Sequence, residues 1–262
     1  MIARLLLRGF SIAVLAYLVL PLVVIIGASL TQSDFLAFPP EGVTLAWYNE
    51  VLADPSYVSA FATSTVLAAA ATLVAVGLAV PAALAFARFR FPGKDAVSAI
   101  LTSPLVLPHV VLGAALLQYC AALGFMRTFW ALLVGHVVIV TPFVLRSVLP
   151  LMTPEQRSLE EAAMDLGAGP VSTFFRITLP LIRSGVVSGA LFAFISSWIN
   201  VELSIFNTTA ELNTIPVKLF NYVQYTIDPT IAAVASVTII VAAIAIILLD
   251  LTIGLDVLAE RR

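Results

Sequence analysis

Charge, sulfur and imidazole are scarce in this chain. Only 11% of its 262 residues are charged, against about 25% in soluble domains. There is one cysteine, Cys120, which excludes an internal disulfide and leaves too few thiols for a metal cluster. It reads as a small buried apolar residue. No GxxxxGK(S/T) loop is present to cradle nucleotide phosphates, and no HExxH pair to hold zinc. The two histidines, His109 and His136, lie too far apart to form a local metal motif. No catalytic residue, metal or resident cofactor is expected. The net charge of −2 carries no information until the charges are placed along the chain.

Apolar residues are what the chain has instead. They make up 61% of the sequence, and the mean hydropathy is +1.08. A soluble globule could not bury that much apolar surface, so a soluble enzyme, a nucleic-acid binder and a disordered chain are excluded. Six uncharged stretches stand out: 10–30, 57–87, 96–126, 128–145, 184–201 and 229–249. A spanning helix needs about 20 mainly apolar residues. The first run exceeds the roughly 7–15 residues of a secretory core, so it reads as an uncleaved helix. Continuous apolar runs without alternation argue helices over barrel strands. The fold class expected is all-α transmembrane, one domain over 1–262. It has a peripheral first helix at about 10–30 and a core at about 57–252.

The basic residues orient the bundle. With the amino terminus inside, the cytosolic segments hold Arg4, Arg8, Arg88, Arg90, Lys94, Arg146, Arg157, Arg176, Arg183, Arg261 and Arg262. Only Arg127 and Lys218 of the thirteen fall outside. The positive-inside rule then places both termini in the cytosol. Pro81, Pro104, Pro108 and Pro142 interrupt the runs. Proline removes a helical hydrogen bond and usually kinks the helix, which survives in lipid only against protein or a wet cavity. A bundle enclosing a path accommodates this, as do ordinary packing kinks.

One loop, about 153–180, carries a pattern of its own. Thr153-Pro154-Glu155-Gln156 opens a helix, with Thr153 as cap, Pro154 in the first turn and Gln156 closing a capping box. Leu159, Ala162, Ala163 and Leu166 then share one apolar face, while Glu160, Glu161 and Asp165 fall on others. Gly167 ends the helix, Gly169-Pro170 turns the chain, and Pro180 opens the fifth span. Such a helix suits the groove of a soluble partner, or the membrane surface.

Glu161-Ala162-Ala163, three residues, Gly167, nine residues and Ile177-Thr178-Leu179-Pro180 together resemble the EAA motif of binding-protein-dependent ABC importer permeases. The segments 87–93, 104–108 and 215–218 are similar to the subgroup containing spermidine/putrescine permeases of the PotC type. The resemblance implies a six-helix permease of the type I ABC importer (MetI-like) fold in the bacterial inner membrane. It implies pairing with a second permease subunit as a heterodimer, two ABC ATPase subunits that hold ATP and Mg, and an extracytoplasmic substrate-binding protein. Lipid is the surrounding partner, and nucleic acid is not one. The motif implies an ATPase-coupling role for Glu161, Ala162, Ala163 and Gly167, with Leu159 and Leu166 completing the apolar face.

Buried charge marks the candidates for a solute path. Glu202 lies about 28 Å along the fifth span from Arg183, near the outer side. It is either a path carboxylate or an interface residue wetted from outside. Asn200 and Ser196 stand near it. His109 and His136 either line the path or bond a neighbouring helix. Trp47, Tyr48, Tyr57 and Trp198 read as membrane-interface residues or as contacts for the binding protein. Many polyamine permeases carry an acidic pair where this chain has Ile199 and Asn200, a departure that leaves Glu202 as the acid available to a cationic solute. The resemblance favours a polyamine or related amino compound. An opine, a phosphonate or a ferric complex are alternatives within the same importer class. An ion-coupled secondary transporter is the alternative outside it, but no persuasive internal repeat supports one.

Overall fold

The computed structural model of the chain describes residues 2–253, and every regular element within them is helical. Arg261 and Arg262, which bear on the expected cytosolic tail, lie outside the described residues. Four segments are long and apolar enough to cross a membrane: Leu6–Ala28, Pro55–Arg88, Phe129–Leu151 and Pro170–Trp198. They fall in the helices α1 (Ile2–Ala28) and α3 (Pro55–Arg88), and include α6 (Phe129–Val148) and α9 (Leu179–Trp198). A shorter apolar stretch, Pro229–Ile244, belongs to α11 (Pro229–Ile253).

The third expected span is not one helix. It comprises α4 (Lys94–Thr102), a 3-10 turn at Ser103–Leu105 and α5 (His109–Ala122), with a bend of 107° between the two arms. Pro104 and Pro108 account for the break. Each lacks an N–H, and their spacing removes donors from successive turns. A single proline is tolerated differently: Pro81 and Pro142 sit within continuous α3 and α6.

The chain forms two compact units: residues up to 59 together with 218–244, and 60–217. In the first, α1 exposes apolar side chains along most of its length, as a lipid-facing helix does. Trp47 and Tyr48, on α2 (Ala46–Ala53), are tied down locally. Trp47 Nε1–H donates to the Thr31 carbonyl at 2.9 Å, and the Tyr48 hydroxyl lies 2.6 Å from Ser29 Oγ. Lys218 stands 3.9 Å over the buried Tyr57 ring, hydrogen-bonds Ser56 and lies 3.8 Å from Asp54. Burial holds the Lys218 ammonium below its ordinary range, against the attraction of Asp54.

The second unit holds the core. Ala68, Ala71, Ala75, Ala79 and Ala83 form a fully buried stripe on α3, with Val66, Leu73 and Leu78 exposed elsewhere on it. Small side chains let helices approach closely where lipid supplies no hydrophobic drive. α6 and α9 use the same device. A Cβ at Gly185 would stand 2.5 Å from the Ser147 carbonyl oxygen, and one at Gly189 2.8 Å from Val144 Cα. Gly185-Val186-Val187-Ser188-Gly189 is therefore a GxxxG contact face. Trp198, expected at a membrane interface, is instead buried and donates from Nε1 to Thr65 Oγ1 at 3.2 Å.

Candidate functional site

Two groups of side chains lie at opposite ends of α9, whose 20 residues span about 30 Å. At its start stands α7 (Pro154–Asp165), followed by α8 (Pro170–Thr173) and a π turn at Phe174–Thr178 that leads directly into α9. Thr153 caps α7 only partly as expected. Its Oγ1 accepts the Gln156 N–H at 3.5 Å, but the Gln156 Oε1 is buried without a partner. The capping box is not closed by Gln156. A hydrogen bond with the Thr153 side chain instead holds the Glu155 carboxyl below its ordinary range.

The other end of α7 closes as the sequence implied. Gly167 N–H donates to Met164 O at 2.9 Å and Ala168 N–H to Ala163 O at 3.0 Å, the paired bonds of a Schellman cap. Gly167 has φ +91°, a conformation that disfavours a side chain. Leu159, Glu161, Ala162 and Leu166 are exposed, Leu166 to 91%, and Ala163 is half-buried. The face thus turns away from the protein rather than into its core. Glu161 is engaged within its own helix: Arg157 Nε donates to its Oε1 at 2.8 Å.

Glu160, assigned by periodicity to a different face from the apolar one, is the buried member of α7. Arg88 Nε donates to Glu160 Oε2 at 2.8 Å and Arg88 Nη2 to Oε1 at 2.9 Å. Thr178 Oγ1 donates to the same Oε1 at 2.8 Å. These groups border a cleft of about 300 Å³, also lined by Leu84, Phe89 and Phe174. Neither Arg88 nor Thr178 is among the site residues expected from the sequence. The signal available was the charge of Arg88 at the end of one apolar run and the acid doublet Glu160-Glu161.

Beyond the other end of α9 the chain leaves the helix at Trp198, so Glu202 lies past the span rather than within it. Its carboxylate is more than half exposed and stands 3.6 Å from His109 Nδ1. Asn200 Nδ2 is 3.3 Å from the same nitrogen. The amide's orientation is fixed independently, because Leu203 N–H donates to Asn200 Oδ1 at 2.9 Å. The amide N–H therefore faces His109. Asn200 stands near Glu202 as expected, and His109 joins them here. Ser196, half-buried on α9, makes no hydrogen bond to them among the described residues.

His136 does not join them. It is buried, with Nδ1 2.7 Å from Ser197 Oγ and Nε2 2.9 Å from Ser204 Oγ. Both ring nitrogens are occupied, joining α6 to α9 and to the segment that follows it. Polar groups buried together in this way avoid the cost of unpaired desolvation.

The family described as "Binding-protein-dependent transport system inner membrane component" matches residues 75–260. The spermidine/putrescine transport system permease protein PotC of Escherichia coli is 31% identical over 247 residues, covering 94% of this chain and 93% of that protein. The putrescine transport system permease protein PotI of Escherichia coli is 36% identical over 216 residues, covering 79% and 75%. A probable molybdenum ABC transporter permease protein of Haloferax volcanii is 30% identical, covering 71% and 69%. Among solved structures, a bacterial ABC transporter involved in import of the acidic polysaccharide alginate shares the fold. Its TM-score is 0.74 at 16% identity, with 97% of this chain and 96% of the other covered. The chain belongs to the binding-protein-dependent transport system inner membrane components, as a membrane permease of an ABC importer.

Proposed function

We propose that this permease imports a small amine-bearing solute, a polyamine or a close relative, across the bacterial inner membrane. It works beside a second, non-identical permease subunit. An extracytoplasmic receptor delivers the solute, and two ATPase subunits bind ATP and Mg and hydrolyse the nucleotide. The permease itself performs no covalent chemistry. It crosses the membrane six times with both termini in the cytosol, the bent pair α4–α5 serving as one crossing. Two observations support the amine: the similarity to proteins named as polyamine permeases, and Glu202, a carboxylate more than half exposed beside Asn200 and His109. An exposed carboxylate attracts an ammonium weakly, which suits a step that must also release its cargo.

Coupling runs through α7, in the cytoplasmic region of about 153–180. The observation that carries this reading is an exposed apolar face (Leu159, Ala162, Leu166) on a helix that also exposes Glu161 and is anchored by a buried ion pair. Ala163 supports that face, and Gly167 ends the helix where the partner's groove must end. Glu161 exchanges Arg157 for a cation of the ATPase on docking, a charge-assisted bond replacing another.

The test is reconstitution of the chain with its co-encoded permease, ATPase and receptor in proteoliposomes. Putrescine uptake that needs ATP and receptor is the expected result. Uptake by the chain alone, driven by an ion gradient, would overturn the importer mechanism. A receptor selective for an oxyanion, phosphonate or ferric complex would overturn the amine assignment alone.

A further inference from the structure

We propose that Arg88, Glu160 and Thr178 form the joint through which movement of α7 reaches the membrane helices, each acting as a positioning residue. This inference rests on α7 being the coupling helix. The three residues come from three elements: the last turn of α3, the middle of α7 and the end of the π turn before α9. Nothing else joins these elements by charge among the described residues. Both Glu160 oxygens are engaged, at 2.8 Å and 2.9 Å by Arg88 and at 2.8 Å by Thr178. The side chains of Arg88 and Glu160 are only 12% and 9% exposed.

That geometry transmits force in a way an apolar contact does not. A bidentate guanidinium–carboxylate pair fixes orientation as well as distance. Displacing α7 relative to α3 alone would strip the carboxylate of partners in a buried setting, which is strongly unfavourable. The helix must therefore carry α3 and the start of α9 with it. The π turn at Phe174–Thr178 supplies the compliant element. Its five-residue bonding is a local distortion of the helix, and such insertions are frequent at functional sites. Thr178 closes that turn and holds Glu160 at once, so a change in the turn's pitch and a shift of α7 are the same movement. The exposed Arg157–Glu161 pair one residue away faces outward and is free to exchange partners, which separates docking from transmission.

The test keeps stability and coupling apart. Replacing both buried charges with methionines of similar volume, Arg88→Met with Glu160→Met, leaves no unpaired charge and is often neutral for stability. The complete complex with receptor is reconstituted in lipid, and receptor-stimulated ATP hydrolysis is read as fold stimulation over the basal rate. The joint predicts an assembled complex with an unshifted thermal midpoint and stimulation reduced at least about fivefold. Wild-type stimulation in that double variant would overturn it. Should the double variant fail to assemble, Thr178→Val against Thr178→Ser decides. The valine variant should lose stimulation and the serine variant keep it, and equal stimulation in the two would overturn the joint. Leu166→Lys, on the exposed face, separates this from the underlying reading. If it leaves ATPase binding and stimulation intact, α7 is not the coupling helix, whatever the joint variants do.

Discussion

Substituting Gly167 with asparagine, alanine and proline should give a graded loss of coupling. The residue sits at φ +91°, and a Cβ built there meets no atom within 4 Å. Steric clash is therefore absent, and the cost is conformational alone. An L-residue in the left-handed region costs roughly 1–2 kcal/mol; asparagine, which tolerates it best, sits at the low end. That is a factor of roughly 5–30 in the population of the closed cap. Proline is a different perturbation. Its ring holds φ near −65° and it has no N–H, so both the turn and the 2.9 Å bond to Met164 O are lost. The last turn of α7 must then unwind and displace Leu166, the most exposed apolar side chain on it. Receptor-stimulated ATP hydrolysis in the reconstituted complex measures the outcome. The expected order of activity is glycine, asparagine, alanine, then proline far below. A proline variant with normal stimulation, or alanine as damaging as proline, would refute the argument from backbone conformation.

Glu202→Gln should slow putrescine uptake severalfold, with receptor affinity and complex assembly retained; a loss of assembly alone would assign the residue to structure. Gly185→Ala should lower thermal stability in detergent, because its Cβ would press on the Ser147 main chain. Overpacking of this kind costs about 1–3 kcal/mol, more than the roughly 1 kcal/mol that alanine gains in helix propensity. An unchanged or raised midpoint would show that α6 and α9 separate freely. His136→Leu should destabilise by about 1–3 kcal/mol, because Ser197 Oγ loses its partner while Ser204 Oγ keeps its bond to the Asn200 carbonyl, without altering cargo selectivity; a changed selectivity would place His136 on the path.

The long helices were legible because lipid demands continuous apolar runs, and α3, α6 and α9 have them. The third span was legible as apolar but not as bent. Composition cannot say whether two nearby prolines kink a helix or end it, and here they end it. Within the loop, Gly167 and the exposed face of α7 followed from spacing alone. Glu160 did not: helical periodicity places a carboxylate off the apolar face, and its partner Arg88 is 72 residues away. The same distance problem hid the meeting of His109 with Asn200, 91 residues apart, although each residue was a candidate on its own. Gly185 and Gly189, four apart on an apolar helix, are a sign of close helix approach that is readable in the sequence without any charge to mark it.

Leu166 offers the most direct measurement of the coupling role of α7. A cysteine at that position, with Cys120→Ala to remove the buried native thiol, can be challenged with a membrane-impermeant maleimide. In intact cells stripped of their outer membrane, Leu166→Cys should resist the reagent. In inside-out vesicles it should react quickly when the ATPase subunits are absent and be protected, or cross-link to the ATPase, when they are assembled. Labelling from the outside, or labelling in inside-out vesicles that ATPase assembly does not change, would contradict a cytosolic coupling helix.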